Sequence, residues 1–336
     1  MTQPTFSAIG SMPGTDVRDT VRMVRDLVGD KGIPFLPELP ARGPGADMIG
    51  RAASHLVGLG VDLQPSGWRL ADSSGLDARR GAAYLRQDLD ELAEAFDGWS
   101  GRLKVQWCGP WTLAASLALP RGERVLTDPG AARDLVQSVA ESVREHLQQV
   151  ARLVPDAELV LQWDEPSLPA VLAGALPTAS GFGRVRPVEQ GVVVDGLEHV
   201  RDAVAELVVA QVLHCCAPNV PVPLVRRVDG LDLAIDISLV KPRQWDGIAE
   251  LVESGRTLWA GALATDAGAV RPEKVVDPLL RSWREIGLTG ADLHRVVLTP
   301  ACGLAAVAPT SVPGHLRTLA QATELLGEAS ESLSAG

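Results

Sequence analysis

The chain alternates between short apolar segments rich in β-branched residues and longer segments with helical periodicity, which limits the folds open to it. Eight strand-then-helix units follow one another with no linker rich in Gly and Ser between them. In a chain of this length they predict an α/β fold with a single (β/α)8 TIM barrel. A doubly wound open sheet is the runner-up, disfavoured because no G-x-G-x-x-G motif follows the first strand. The predicted strands are Phe6–Met12, Pro34–Leu39, Leu103–Cys108, Glu158–Trp163, Val208–His214, Leu231–Ile237, Thr257–Leu263 and Val296–Thr299.

Amphipathic segments between these strands predict the helices, and capping residues or first-turn prolines begin several of them, as at Asp128-Pro129. The barrel is predicted to span residues 1–326, with loop insertions at Pro65–Asp77 and Pro166–Val194. The polar tail, residues 327–336, is predicted to be disordered. The predicted helices are Val17–Leu27, Ala78–Phe96, Pro129–Val154, Gly196–Leu207, Trp245–Glu253, Pro272–Ile286 and Pro313–Leu326.

Composition excludes several classes of protein. Of the 336 residues 46% are hydrophobic, which is enough for a core and excludes disorder for most of the chain. Acidic residues outnumber basic ones 42 to 31, so the chain lacks the basic footprint of a nucleic-acid binder and would be repelled by anionic membranes. No secretory leader, no apolar stretch of membrane-spanning length and no disulfide framework is apparent. We therefore expect a soluble cytoplasmic protein whose cysteines are free or metal-bound.

Reactive side chains in such a barrel collect at the C-terminal ends of the strands. A polar or metal-ligating residue stands at or just after each predicted strand, whereas the bodies of the strands are apolar. These residues are, in chain order, Ser11, Glu38, Cys108, Asp164, His214, Asp236, Asp266 and Cys302.

Three of the strand ends carry ligands suited to a metal. His214 and Cys216 are two residues apart on an extended segment, so their side chains project to the same side. Cys302, arriving from the last strand, would complete a set of imidazole and thiolate ligands that Zn²⁺ prefers, with the fourth position left open. The alternative is that these are buried free thiols, as Cys215 is predicted to be because it faces the opposite way.

Two acidic residues accompany this set. Asp164 lies at the end of the fourth predicted strand, and a carboxylate entering a barrel mouth is costly unless it binds something positive. Glu38 lies between two prolines, which stiffen its backbone, and Ser11 follows Gly10 at a strand end, where it can donate to a carboxylate. Solvated acids and an ordinary turn serine are the alternative interpretation of these three residues.

Four segments resemble, in order, the catalytic barrel of cobalamin-independent methionine synthase. They are IGSMP at 9–13, QWDEPSL at 162–168, HCC at 214–216 and PACGL at 300–304, and the resemblance spans nearly the whole chain. The segment GPWT at 109–112 also resembles a turn shared with uroporphyrinogen decarboxylase, a related barrel without a zinc site.

The resemblance implies a zinc-dependent methyltransferase that moves a methyl group to the thiol of homocysteine or a similar small thiol. It implies that His214, Cys216 and Cys302 bind zinc. Asp164 and Glu38, the predicted catalytic acids, would hold the amino group of homocysteine, and Ser11 would contact its carboxylate. The chain is one barrel long, so it resembles stand-alone members whose methyl donor is a methyl-folate or a methylated corrinoid protein.

Two positions depart from the family pattern. The family has a glutamate zinc ligand at the end of strand six, where Asp236 is the nearest candidate here. A family histidine after strand seven is replaced by Asp266, which puts a proton-shuttling role in doubt.

Two other functions stay open at this point. A metal-free decarboxylase of the uroporphyrinogen type would use arginines at the barrel mouth, for which Arg42 is a candidate, but that chemistry needs no soft ligands. A non-catalytic zinc-binding barrel is favoured by the missing glutamate and histidine.

Overall fold

Seven parallel strands form one curled sheet in a computed structural model that describes residues 3–266 and 268–334. From residue 101 to residue 300 the strands that follow one another in the chain lie side by side, and the first strand lies beside the last. Helices connect these strands, as the alternation in the sequence predicts. The strands are β1 (Thr5–Phe6), β4 (Gly101–Cys108), β5 (Ala157–Asp164), β6 (Ala210–Cys215), β7 (Leu231–Asp236), β8 (Leu258–Leu263) and β9 (Val296–Pro300).

The predicted second strand, Pro34–Leu39, does not form a continuous strand in the described residues. It is joined to its neighbours by two isolated parallel bridges, Ser11 with Glu38 and Phe35 with Lys104. Prolines 34, 37 and 40 remove backbone donors from this segment, which explains why its hydrogen-bond ladder is interrupted. The prediction of a barrel is therefore confirmed as a curled parallel sheet of seven strands, while a complete eighth strand is not.

Helices cover the outer side of the sheet, and two of the long ones begin with aspartate caps. Asp16 accepts the backbone N–H of Asp19 at the start of α1, and Asp128 accepts those of Gly130 and Ala131 at the start of α5. The helices are α1 (Val17–Val28), α2 (Met48–Ala53), α3 (Leu76–Ala95), α4 (Pro110–Ser116), α5 (Pro129–Leu153), α6 (Leu168–Ala173), α7 (Gln190–Asp202), α8 (Val222–Val225), α9 (Pro242–Glu253), α10 (Pro272–Glu285) and α11 (Val312–Ser334).

Two sequence predictions about the connections were wrong. The stretch Pro65–Asp77 is expected to be a loop insertion, but it contributes β3 (Gly67–Ala71) to an antiparallel hairpin with β2 (Gly60–Gln64). The tail 327–336 was expected to be disordered, but α11 continues to Ser334, and the last two residues lie outside the described residues. The polar sequence of this tail hides the end of the helix from a prediction based on apolar residues. In the structure Leu326 is buried and Leu333 packs against the core.

Apolar side chains form two separate cores. The larger one fills the space between the outer face of the sheet and the helices. A smaller one lies inside the curled sheet, because alternate residues of each strand point inward. We call it the inner floor, and its members are Ile33, Val160, Val212, Ala234, Trp259 and Val297. In the described part of the chain, no helix combines the length and apolarity needed to cross a membrane.

Candidate active site

A polar layer lies above the inner floor, toward the C-terminal ends of the strands. Lys104 is fully buried there, and its Nζ donates to the carbonyl of Ile9 at 2.8 Å and to Oε1 of Gln162 at 3.0 Å. Burial lowers the pKa of Lys104 to about 7, against the opposing effect of Asp164 and Glu38. Gln162 Nε2 in turn donates to Asp164 Oδ1 at 2.8 Å. A continuous hydrogen-bonded chain therefore runs from a buried amine to a carboxylate at the mouth.

The series of hydrogen-bonded side chains continues to His214. Its Nδ1 lies 2.7 Å from Oδ1 of Asp164, and both side chains are buried. A carboxylate accepts but does not donate, so this contact places a ring proton on Nδ1. In the neutral ring the lone pair is then on Nε2, and within the described residues this buried nitrogen has no hydrogen-bond partner. A buried polar atom left without a partner is costly, which marks Nε2 as a place for a ligand.

Two thiols meet beside this imidazole. Sγ of Cys216, just after β6, lies 3.1 Å from Sγ of Cys302, just after β9. The hydrogen bond from Cys216, aided by His214, lowers the pKa of Cys302 to about 6 against the opposing effect of burial, whereas the pKa of Cys216 is raised. The pair thus favours one thiolate and one thiol. Cys215 faces the outer core instead, and burial raises its pKa to about 12.

The donors fit zinc in their chemistry, although they are not assembled as a metal site. Thiolate sulfur and an imidazole whose second nitrogen is held by a carboxylate are typical zinc ligands. Within the part of the chain that the structure describes, no three His, Cys, Asp or Glu side chains lie at metal-binding spacing. The imidazole and the two sulfurs would therefore have to draw together around an ion.

The predicted fourth ligand, Asp236, has a local partner. At the end of β7 its Oδ1 accepts the backbone N–H of Ser238 at 2.9 Å and the hydroxyl of Ser238 at 2.6 Å. This carboxylate caps the short helical turn that follows. Its role as a metal ligand stays a prediction.

Glu38 is buried at the same mouth, next to an ion-paired cluster. Burial raises its pKa to about 7, Arg51 opposes the rise from 3.9 Å, and Asp164 adds to it. Arg51 donates to Asp88, which also accepts from Arg42 at 2.8 Å. The arginine that a decarboxylase would need at the mouth is thus already paired and buried.

Ser11 lies where the first and last segments of the chain meet. Its backbone bridges Glu38, and its carbonyl accepts the N–H of Leu304 at 2.8 Å. A Cβ at Gly303 would come within 1.9 Å of Ser11 Oγ, so any larger residue after Cys302 would displace the Ser11 hydroxyl. The structure therefore brings Ser11, Glu38 and Cys302 to one mouth.

Sequence reasoning did not assign roles to Glu165, Lys104 and Gln162. Glu165 is buried and accepts the backbone N–H groups of Trp111 and Thr112 at 2.9 and 2.7 Å, at the N-terminus of α4. Burial raises its pKa to about 7. The available signal was polar residues at every second position of otherwise apolar strands, as in LKVQ at 103–106.

Comparisons with known proteins agree with this fold. No protein-family model and no curated protein matches the chain. A B12-independent methionine synthase from Shewanella, solved with selenomethionine, is 13% identical, with 99% of this chain and 100% of that chain covered and a TM-score of 0.65. A putative B12-independent methionine synthase from Listeria monocytogenes is also 13% identical, with 98% and 99% covered and a TM-score of 0.60.

The likeness is one of fold. The neighbours expected from the sequence motifs are found, which confirms that expectation at the level of the structure. Both neighbouring chains are covered almost completely, so each is about as long as this chain.

Proposed function

We propose that this protein is a zinc-dependent methyltransferase that moves a methyl group to the thiol of homocysteine, the methionine synthase reaction in single-barrel form. The observation that carries the proposal is the meeting of Cys216 and Cys302 beside the unpartnered Nε2 of His214. Solved structures with this fold include B12-independent methionine synthases, which adds support. The reaction needs a soft metal site and acidic groups for an amino-acid substrate, and both kinds of side chain lie at this mouth.

His214, Cys216 and Cys302 would hold the metal, and Asp236 stays the candidate for a fourth ligand. Zinc bound there would supply a Lewis acid that lowers the pKa of a substrate thiol. Asp164 keeps the ring proton of His214 on Nδ1, which leaves Nε2 free to act as a ligand.

The carboxylates orient the substrate. Glu38 and Asp164 would bind the ammonium of homocysteine, and Ser11 would donate a hydrogen bond to its carboxylate. An arriving ammonium favours the ionised form of Glu38, whose pKa burial has raised to about 7. Binding at both ends of the amino acid holds its thiol in one orientation for attack on an electrophilic methyl group. The methyl donor is a methyl-folate or a methylated corrinoid protein.

Metal analysis and thiol binding test the proposal together. Protein purified without added metal should contain about one zinc per chain. The cobalt-substituted protein should gain a thiol-to-metal charge-transfer band when homocysteine is added, and homocysteine should be methylated when a donor is supplied.

Matched variants sharpen the test. Cys216→Ser should lose the metal, whereas Cys215→Ser, one residue away and facing the outer core, should keep it. Metal well below one equivalent would contradict the proposal. Tightly bound zinc with no spectral response to homocysteine would favour a non-catalytic zinc-binding barrel.

A further inference from the structure

A cavity opens at the end of the curled sheet where the strands begin. It has a volume of about 590 Å³ and lies beneath the inner floor, whose Val160 and Trp259 line it. The cavity therefore approaches the interior from the side opposite to Cys216 and Cys302. Known small-molecule sites span volumes of about 300–1,000 Å³, so this one is large enough for a small organic ligand.

Small residues create the space. Ala210 begins β6, and Gly230, Ser254 and Gly255 lie in the loops that lead into β7 and β8. The N-terminal face of a barrel ordinarily serves stability rather than binding. An open, mainly polar cavity at this face is therefore not what packing alone requires.

Arginine side chains gather in the walls. Three guanidiniums line the cavity, those of Arg102, Arg256 and Arg295, together with the carboxylates of Asp229 and Asp232. The Asp229 side chain is 97% exposed and lies 3.6 Å from Arg256. Oδ1 of Asp232 accepts the backbone N–H of Thr257 at 2.7 Å. Both lining carboxylates therefore have partners of their own.

Two of the arginines keep donors available. Arg256 is occupied, because its Nη atoms donate to the carbonyls of Val225, Leu231 and Arg226. Arg295 donates from Nη1 to the carbonyl of Gly255 at 2.6 Å, which leaves most of its five N–H groups. Arg102 has only a long ion pair, 3.8 Å, to Glu158 among the described residues. Arg102 starts β4 and Arg295 precedes β9, so the two approach the cavity from different strands.

We propose that this base cavity binds a small organic anion, whose phosphate or carboxylate groups are held by Arg102 and Arg295. Guanidinium donors match the planar spacing of carboxylate and phosphate oxygens, which makes arginine the side chain suited to this task. The site is separate from the proposed zinc centre, so failure of one leaves the other untouched.

Calorimetric titration at low ionic strength, in a buffer free of other oxyanions, tests the proposal with three probes: inorganic phosphate, pyrophosphate and succinate. Saturable binding of at least one probe is expected, and the preferred probe tells phosphate from carboxylate recognition. Arg102→Gln and Arg295→Gln should each weaken binding about tenfold or more, since each removes a charged hydrogen-bond donor. Zinc content should not change in either variant.

Arg144→Gln is the matched control, because Arg144 pairs with Glu141 on the exposed side of α5 and its loss changes the net charge equally. It should bind the probes as the unaltered protein does. Absence of saturable binding for all three probes would overturn the proposal, and so would an equal loss in Arg144→Gln. Arg102→Gln keeps the test decisive if Arg295→Gln fails to fold, because the Arg102 guanidinium makes no hydrogen bond within the described residues.

Discussion

The two faces of β4 and β5 differ, because alternate residues of each strand point to opposite sides. The outward side chains are apolar and pack under the helices, whereas the inward ones above the inner floor, such as Lys104, Gln162 and Asp164, are polar and also buried. The two strands pair in register, so Gln106 lies beside Gln162 and Cys108 beside Asp164. The outward set is Leu103, Val105, Trp107, Leu159, Leu161 and Trp163.

This difference separates the side chains that stabilise the fold from those that form the candidate active site. The outward face gains free energy mainly from apolar burial. Each polar group on the inward face loses hydration, and that loss is offset only where a partner is present. Lys104, Gln162 and Asp164 are linked to one another for this reason, while His214 retains one nitrogen without a partner. We therefore expect substitutions on the outward face to lower stability and substitutions at the site to change ligand binding.

The largest effect should come from the outward face. Trp163→Ala should lower the free energy of unfolding by about 3–5 kcal/mol, because it leaves a cavity under the helices. It also removes the hydrogen bond from Trp163 Nε1 to Gln211 at 2.9 Å. Denaturant titration measures the loss, with Trp163→Phe as the control that keeps most of the volume. A loss below about 1 kcal/mol would show that this face is not what holds the sheet and helices together.

The adjacent cysteines provide the next comparison. Cys215→Ser should lower the free energy of unfolding by about 1–3 kcal/mol, because a hydroxyl is buried without an assured partner. Its zinc content should stay the same. Cys216→Ser and Cys302→Ser should instead lose zinc with little change in stability, since a catalytic site does not fold a large barrel. Loss of zinc in Cys215→Ser with retention in Cys216→Ser would contradict the assignment of Cys216 to the site and of Cys215 to the outer core.

His146 gives an effect that appears only as the pH falls, at most about 1.4 kcal/mol per pH unit. Its ring on α5 packs against Trp107 with ring centroids 4.9 Å apart, and burial lowers its pKa from 6.5 to about 3. Between these values the unfolded chain binds a proton that the folded chain does not. Stability is therefore lost as pH falls below 6.5. His146→Phe should flatten this slope in urea titrations from pH 7 to pH 4, and an unchanged slope would contradict the burial of a neutral ring.

Periodicity was enough to predict most of the fold. Apolar runs place the predicted β4 to β9 within a few residues of their observed bounds, because burial of alternate side chains dominates those segments. The segment Pro34–Leu39 has the apolar character of a strand, but its prolines lack the backbone donors of a continuous ladder. The β2–β3 hairpin was missed because its side chains are mostly only partly buried, which leaves a weak pattern.

The site was predictable by residue type more than by arrangement. His214, Cys216, Cys302, Glu38, Asp164 and Ser11 all lie at one end of the sheet, as strand ends predict. The roles of Glu165 and Asp236 as caps depend on which backbone N–H groups lie nearby, and that is not visible in a linear pattern. The buried amine of Lys104 was missed because its partners, Ile9 and Gln162, lie far from it along the chain.

Zinc K-edge X-ray absorption of the zinc-loaded protein, recorded with and without homocysteine, tests the central claim most directly. Two sulfur ligands, from Cys216 and Cys302, should be present at about 2.3 Å without substrate, and a third should appear when homocysteine is added. Methionine in place of homocysteine should not add this third sulfur ligand, because its sulfur carries no ionisable proton. A metal shell without two sulfurs, or one that homocysteine leaves unchanged, would contradict the account.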